Sequence, residues 1–460
     1  MSTTADDLAR LRQEGATAHK TGKLAEAQAL YARYLALAPG DGGIWSNLGA
    51  LFRAAARHDL AIAAQERAAA CSPLDRGVLN NLANALSDVG QYDRAIALRR
   101  QVLARHPEDH NQKAMLGKAL RAQGKYSEAI AWLEKAIPEH PEEHELKIQL
   151  ALSELADRRY AKGFRTYDIR WQTGELTPRK MTTPKWDGGP LNGRDILVLP
   201  EQGFGDAVTF ARFLPALRRF NPGRVMLLCE KPLLRLFAGV DGVDWIGAEP
   251  PPGSYDAWTN MMDLPPLHFD LDPAVPPPTR LSVPEDSRTR ARALTAPFRD
   301  RFKVGVVWCG SVTYRGNAFR SFSHTQFHSL LDIDGLQLFS LYKGPELAAY
   351  RADGTDAFII DAASSDRDFG DCAAMMEEMD LVITSCTANC HIAGSLGVPV
   401  WTLLHWDAFW LWQHQGADTP WYPQMRLIRQ SRPRDWEGVM AKVRSRLLPK
   451  IADWKKGRRA

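Results

Sequence analysis

The chain has 460 residues, 45% hydrophobic and 24% charged, with a formal net charge of +4. This is the composition of an ordinary globular protein with room for about three domain-sized units. So small a charge gives no electrostatic case for a nucleic-acid partner, and the basic run Lys455 to Arg459 reads as a solvated terminus. Six scattered cysteines suit a reducing compartment. Cys386 and Cys390, a single C-x3-C pair without further ligands at zinc spacing, are not read as a metal site. Met1 to Arg10 is polar and acidic and lacks a signal-peptide core. The most apolar stretch, Leu381 to Leu404, is broken by Thr384, Ser385, Thr387, Asn389 and His391, which argues for strand, helix, strand over a membrane span. The expectation is a cytoplasmic protein.

From the N-terminus the chain follows a lattice. Pro39, Pro73, Pro107 and Pro141 stand 34 residues apart, as do Ala27, Ala61, Ala95 and Ala129. A 34-residue period is that of the tetratricopeptide repeat (TPR), two antiparallel helices per unit. Gly15, Gly49 and Gly117, with Ala83 and Ala151, occupy the small position of each first helix, where the paired helix approaches closely. Trp45, Leu48 and Phe52 form an apolar stripe at helical spacing, repeated by Leu79, Leu82 and Leu86. Gly22, Gly90 and Gly124 suit turns that need positive φ, and each proline closes a second helix. Four full units and a degenerate fifth containing Gly163, ending near Trp171, predict an α-solenoid over residues 1–177. Asn47, Asn80, Asn81, Asn84 and Asn111 are candidates for a groove ladder that holds an extended peptide backbone; each is also compatible with a plain surface or cap role.

The lattice stops near residue 175, and a linker with Pro178, Pro184, Gly188, Gly189 and Pro190 follows. Ile196 to Leu199 reads as a buried strand running into Pro200-Glu201-Gln202-Gly203-Phe204-Gly205-Asp206. A helix with Val208, Phe210, Phe213, Leu214 and Leu217 on its apolar side comes next. Strand, glycine loop and helix open a parallel α/β sheet, although the third glycine of a dinucleotide fingerprint is missing. More strands are predicted at Val225 to Cys229, Asp244 to Ile246 and Ala257 to Thr259. Pro265 to Pro284 carries seven prolines and is expected to be an extended linker. A second α/β unit follows, with strands at Val304 to Trp308, Leu336 to Tyr342, Leu381 to Thr384 and Pro399 to Leu404. A helix from Asp435 to Leu448 is expected to cross back onto the first sheet. Gly203, Gly310, Lys343 and Thr387 fall at strand carboxyl ends, where ligands of such sheets bind.

The order of blocks carries a resemblance. A TPR array, then E-Q-G-F-G-D, V-G-V-V-W-C-G-S, S-L-Y-K-G-P-E, H-I-A-G-S-L-G-V-P-V-W, P-W-Y-P, R-L-I-R-Q and D-W together resemble bacterial repeat-fused glycosyltransferases. The catalytic half of these proteins has the two-domain GT-B fold, with twin Rossmann-like halves. It is similar to the heptosyltransferase-like family and more distantly to the O-linked N-acetylglucosamine transferases. The resemblance covers residues 10–450 and implies GT-B subdomains at 178–286 and 287–460. It also implies a nucleotide-sugar donor, no metal cofactor and a protein acceptor held by the repeats, flagellin being the named expectation.

Glycosyl transfer needs a base for the acceptor hydroxyl and positive charge or N–H groups for the departing phosphate. By the resemblance, Asp206 is the general base; its alternative is a cap of the following helix. Lys343, Arg320, Gly310 and Ser311 are the donor-phosphate candidates, together with Ser385, Thr387 and the helix behind them. His324 and His391 are reserve bases, and His391 matches a family histidine for which a nucleotide contact and a core role are equally open. Glu201, Gln202, Gly203 and Gly205 form the acceptor loop. Cys386 departs from the family, many of whose members carry Asp-Thr where this chain has Cys386-Thr387. The D-x-D spacings at Asp270–Asp272, Asp332–Asp334 and Asp366–Asp368 follow no apolar strand and are read as chance surface pairs. Trp406, Trp410, Trp412 and Trp421 are read as packing, with stacking on a sugar as the alternative. The leading expectation is a protein O-glycosyltransferase. A transferase acting on a surface polysaccharide and a catalytically inactive TPR scaffold are the alternatives.

Overall fold

The computed structural model describes residues 5–459 apart from 175, 252, 313 and 315. The chain divides after Ser153 into two compact units. The first is a helical solenoid of paired helices: Ala5–Lys20 with Leu24–Leu37, Gly42–Ala54 with His58–Cys71, Arg76–Asp88 with Tyr92–Leu103, and His110–Ala122 with Tyr126–Ala136. The same local devices recur in each unit. Asp41, Asp75 and Asp109, themselves 34 residues apart, cap three first helices by accepting the backbone N–H of Ile44, Val78 and Gln112 at 3.1, 2.8 and 3.0 Å. The small positions work as expected. A Cβ on Gly15, Gly49 or Gly117 would lie within 2.8 Å of Tyr31, Gln65 or Leu133, the residue sixteen further on in the paired helix.

The turns use the left-handed region. Gly22, Gly90 and Gly124 each have φ near +76°, and the fourth member of the set is an alanine, Ala56, at +55°. A Cβ in that region costs about 1–2 kcal/mol, partly offset by the greater freedom glycine loses on folding. Ala56→Gly is therefore expected to stabilise the solenoid by about 0.5–1 kcal/mol. Calorimetry of the full chain should show the solenoid transition moving up by about 1–3 °C. A downward move would mean that backbone entropy outweighs the strain.

The second unit, from Glu154, holds two parallel sheets. The first has β1 Ile196–Leu199, β2 Val225–Leu228, β3 Trp245–Gly247 and β4 Ala257–Asn260 in the order β3-β2-β1-β4. The second has β5 Phe302–Val307, β6 Leu336–Ser340, β7 Ile359–Asp361, β8 Leu381–Ser385, β9 Val400–Leu404 and β10 Met425–Arg429, in the order β10-β9-β8-β5-β6-β7. All pairings are parallel, for example Ile196↔Val225 and Val306↔Ile383. Strands buried on both faces need apolar runs, and the four residues of β1 are all buried. The helix after β1, Phe204–Phe210, tightens into a 3-10 helix Ala211–Phe220, and the five predicted apolar residues along it are all buried.

Several expectations change. The proline-rich stretch is not wholly extended, because Pro265 and Pro266 open a short helix, Pro265–Phe269, at the positions where a missing N–H costs nothing. The last helix is longer than expected, Trp436–Arg459 with Pro449 inside it, and it does not cross to the first sheet. It runs beside β10 and the turn His324–Leu330 instead, with Trp454 edge-on to Phe302 at 5.8 Å and Arg444 paired to Asp332. The division after Ser153 falls inside the degenerate fifth repeat. Its second helix, Tyr160–Thr166, is part of the α/β unit: Tyr160 receives the Trp421 indole N–H at 3.2 Å, and Phe164 stacks on Phe269.

Candidate functional site

The loop leaving β1 is held from below by a buried ion cluster. Arg170 donates Nε to Glu201 Oε1 at 2.6 Å and Nη2 to Glu201 Oε2 at 2.9 Å, and Nη2 also reaches Asp263 Oδ1 at 2.5 Å. Burial opposes the charge on Arg170, yet the hydrogen bonds and attraction from Glu201, then Asp263, hold its pKa above the ordinary value. Glu201 is thus committed to a structural pair. Gln202 takes positive φ, +64°, and donates Nε2 to the Tyr167 hydroxyl at 2.9 Å.

Gly203 begins the helix Phe204–Phe210, and its N–H donates to Asp206 Oδ2 at 3.1 Å. Asp206 therefore stands in the first turn and bonds back to the cap, which leaves Oδ1 for other work. Burial, reinforced by the Glu201 charge, pushes its carboxyl up to about 6 against the restraining Gly203 N–H and Arg320. A carboxyl near 6 can accept a proton close to neutral pH. Gly205 is glycine for a packing reason. A Cβ there would lie 2.9 Å from His391 Cδ2 and 3.3 Å from the Ala388 Cα, so the helix behind β1 and the helix behind β8 meet at this point.

The ends of β5 and β8 bring the opposing groups. Arg320 Nη1 donates to the Cys386 carbonyl at 2.9 Å, and its guanidinium lies over the Tyr314 ring at 4.5 Å. Gly310 leaves room for it, since a Cβ would come within 2.6 Å of Arg320 Nη2. Trp412 donates its indole N–H to Cys386 Sγ at 3.0 Å. Hydrogen bonding from Cys390 holds the Cys386 thiol below its usual range against burial, while burial pushes Cys390 up. Thr387 precedes the helix Ala388–Ser395 without capping it through its side chain. His391 is stacked on Trp412, with Nδ1 at 2.8 Å from Thr209 Oγ1 and 3.1 Å from the Tyr422 hydroxyl. Burial, then Arg212 and Arg320, lower its pKa to about 3, so it is a neutral hydrogen-bonding hub at working pH. Trp410 and Trp421 are buried against Tyr160 and Phe210, which is the packing role expected of them.

Asp206, Arg320, Cys386, Thr387 and His391 therefore come together, with Gly205 and Gly310 permitting the approach. Other candidates are engaged differently. Lys343 donates its ammonium to the Asp366 carbonyl. Ser385 is fully buried at the end of β8, its hydroxyl without a partner among the described residues. Ser311 is exposed, and His324 pairs with Asp353. Asp270, Asp332 and Asp334 are in surface ion pairs with Arg165, Arg444 and Lys455. Sequence reasoning missed Arg170 and Arg212, whose partners are remote in the chain, and Tyr314, whose ring lies under Arg320 six residues on. Arg212 lies over Tyr422 at 4.8 Å and donates Nη1 to the Trp421 carbonyl at 3.0 Å.

In the solenoid, a groove of about 580 Å³ is lined by residues that include Asn80, Asn84, Asn111 and Gln112. Its floor hides a buried arginine. Arg99 donates to Asn84 Oδ1 at 2.8 Å, Gln112 Oε1 at 3.0 Å and Asn80 Oδ1 at 3.4 Å, and burial lowers its pKa to about 10. The amide oxygens of Asn80 and Asn84 thereby each carry an internal bond, so their share of the backbone clamp expected of the ladder falls mainly to their N–H groups. Asn81 turns away to Ser46 Oγ at 3.0 Å, and Asn47 is exposed outside the groove lining. Arg99 was open to detection, because it fills the lattice position of Tyr31, Gln65 and Leu133.

Residues 14–76 and 80–144 match the tetratricopeptide repeat family. Protein FlbA of Caulobacter vibrioides (strain ATCC 19089 / CIP 103742 / CB 15) is 25% identical over 322 residues, 64% of this chain and 53% of FlbA. The chain thus spans about half the length of the curated relative it matches, and the match is too long to be confined to the repeats. Among solved structures, "MamA MSR-1 C2" is 22% identical with a TM-score of 0.32, covering 36% of this chain and 95% of that one. "Functional Characterization of Pseudomonas Aeruginosa pilF" is 20% identical with a TM-score of 0.33, covering 37% of this chain and 78% of that one. At such scores these structural likenesses carry no argument. No helix among the described residues is long and apolar enough to cross a membrane. The chain thus carries tetratricopeptide repeats in a helical solenoid suited to binding a protein partner, and an α/β region of parallel sheets follows them.

Proposed function

We propose that the α/β region is a metal-independent glycosyltransferase of the GT-B kind, and that the solenoid recruits its protein acceptor. The observation that carries this reading is Asp206, a carboxyl titrating near 6 on the glycine loop after β1, electrostatically coupled to Arg320 at the ends of the second sheet. In this reading Asp206 takes the proton of a Ser or Thr hydroxyl as the oxygen attacks the anomeric carbon. Arg320 and the backbone N–H groups behind Thr387 receive the departing nucleotide phosphate. Flagellin remains the acceptor we favour, from the resemblance of the sequence blocks; a surface polysaccharide is the other substrate class.

Two points favour a second reading, an inactive scaffold: by the resemblance, Cys386 stands where many members of that family carry Asp, and Lys343 rests on a main-chain carbonyl. A thermal-shift panel of the full chain against UDP, ADP, GDP and CMP and their sugars separates the two. One nucleotide class should raise the melting temperature, by an amount that grows with its excess over the dissociation constant. A flat response across the panel at millimolar ligand would remove the transferase reading and leave the scaffold.

A further inference from the structure

Away from the Asp206 cluster, three metal-ligating side chains converge beside the second sheet. His324 opens the 3-10 turn His324–Leu330, His328 stands four residues on, and Asp353 ends the helix Leu347–Ala352. One ligand atom from each lies within 4.8 Å of the other two. We propose that His324, His328 and Asp353 form a binding site for a divalent transition metal, with zinc as the best chemical fit.

The donor set decides the class of metal. Two imidazoles and one carboxylate suit zinc, cobalt and nickel, whereas magnesium and calcium need more oxygen ligands. The geometry needs little change. Bonds of about 2.0–2.2 Å in a tetrahedron bring ligand atoms to roughly 3.3 Å apart. His324 Nε2 and Asp353 Oδ2 are now 2.7 Å apart in a hydrogen bond, which a metal would replace while opening the pair to that spacing. His328 Nε2 now contacts Thr355 Oγ1 at 2.8 Å, and its exposed ring is free to turn toward the pair.

The surroundings pre-orient two of the three ligands. His324 is buried, its ring edge-on to Trp308 at 5.9 Å and to Tyr350 at 5.9 Å. Asp353 Oδ1 accepts the Thr355 N–H at 3.0 Å, which leaves Oδ2 facing His324. Such outer bonds fix the orientation of ligands and raise metal affinity. Three protein ligands leave a fourth position, and the exposure of His328 and Asp353 opens it to water. A bound metal would tie the turn that follows Arg320 to the segment leading into β7. It would steady the delivery of Arg320 without entering the transfer chemistry.

The test uses the full chain, stripped with a chelator and titrated with zinc chloride by calorimetry and with cobalt(II) by visible absorption. Wild type should bind one equivalent saturably at this site, with tetrahedral cobalt bands, and melt higher with zinc than without. His328→Ala, at an exposed position, gives up one hydrogen bond to Thr355 and should fold with a metal-free melting temperature lowered only slightly; losing a ligand should cost at least the roughly hundredfold in affinity that losing an outer-shell partner can. Asp353→Asn should lose a similar factor and provides the second variant. No saturable binding by folded wild type overturns the proposal. So does wild-type affinity in either variant, which would put the metal elsewhere, for instance at Cys386 and Cys390.

Discussion

Replacing Arg170 by alanine is expected to destabilise the α/β unit by about 3–5 kcal/mol, the usual cost of removing one partner from a buried ion cluster. The size follows from what stays behind. Glu201 is buried, Asp263 largely so, and Arg170 supplies every side-chain bond that the structure gives Glu201 Oε2. Asp263 retains Lys185 at 3.1 Å and the Asn260 amide at 3.0 Å, so the uncompensated charge falls mainly on Glu201. Arg170→Met should fare little better, because filling the volume does not neutralise the carboxylates. The triple variant Arg170→Met, Glu201→Gln, Asp263→Asn removes charge and partner together and should recover most of the loss.

The pH dependence gives a second check on the same variant. In the native chain burial raises the Asp263 carboxyl, but attraction and hydrogen bonding from Arg170 outweigh it and leave its pKa below the usual value of 3.8. A depressed folded pKa contributes stability above the unfolded value, lost as pH falls through the folded one. Without Arg170 the sign reverses: buried carboxyls rise above their unfolded values and cost stability as pH climbs. The gap between Arg170→Ala and wild type, measured by urea unfolding followed through tryptophan fluorescence, should be widest at pH 7.5 and shrink toward pH 4. A gap that is independent of pH would assign the effect to lost packing of the arginine stem.

How far the sequence could be read depends on how local each cause is. The solenoid was legible because every unit is closed by devices a few residues long, and even the Asp41, Asp75 and Asp109 caps sit on the visible lattice. β1 was legible because four apolar residues between turn signals fit a buried strand and are too few for a buried helix. β7 was missed at three residues, and β10 because Arg426 and Arg429 break the apolar run of an edge strand. The acceptor-loop reading of Glu201 could not foresee Arg170, 31 residues away, since nothing local marks an ion pair formed by tertiary folding. Gly205 was placed in the acceptor loop, whereas the close approach it permits is to His391 and Ala388. The same neighbourhood explains Asp206. Its place three residues after Gly203 looks like capping alone until the second sheet brings Arg320 and Cys386 nearby.

Under the proposed glycosyltransferase reading, Asp206→Asn should cut transfer by about 10²–10⁴-fold, the range for losing a general base, while leaving the fold at least as stable. Asparagine keeps the shape and can still accept the Gly203 N–H, so the cap survives. Folded Asp206 holds its proton up to about pH 6, whereas the unfolded carboxyl releases it near 3.8. Between those values the folded state binds more protons than the unfolded state, so stability falls as pH rises and stays lower above about 6. Ionised Asp206 thus costs stability at neutral pH, on the order of 1–2 kcal/mol after allowing for its partial exposure. The variant should therefore melt at or above the wild-type temperature at pH 7.5 and converge with it near pH 4. Wild-type kcat/KM should climb as pH rises through about 6 and level off above, as a base that must be ionised requires. Undiminished turnover in Asp206→Asn, or a clear loss of melting temperature at pH 7.5, would assign the carboxylate to capping. Lost turnover with a melting temperature at or above wild type would instead fit the proposed base, whose electrostatic cost accompanies the proton it takes.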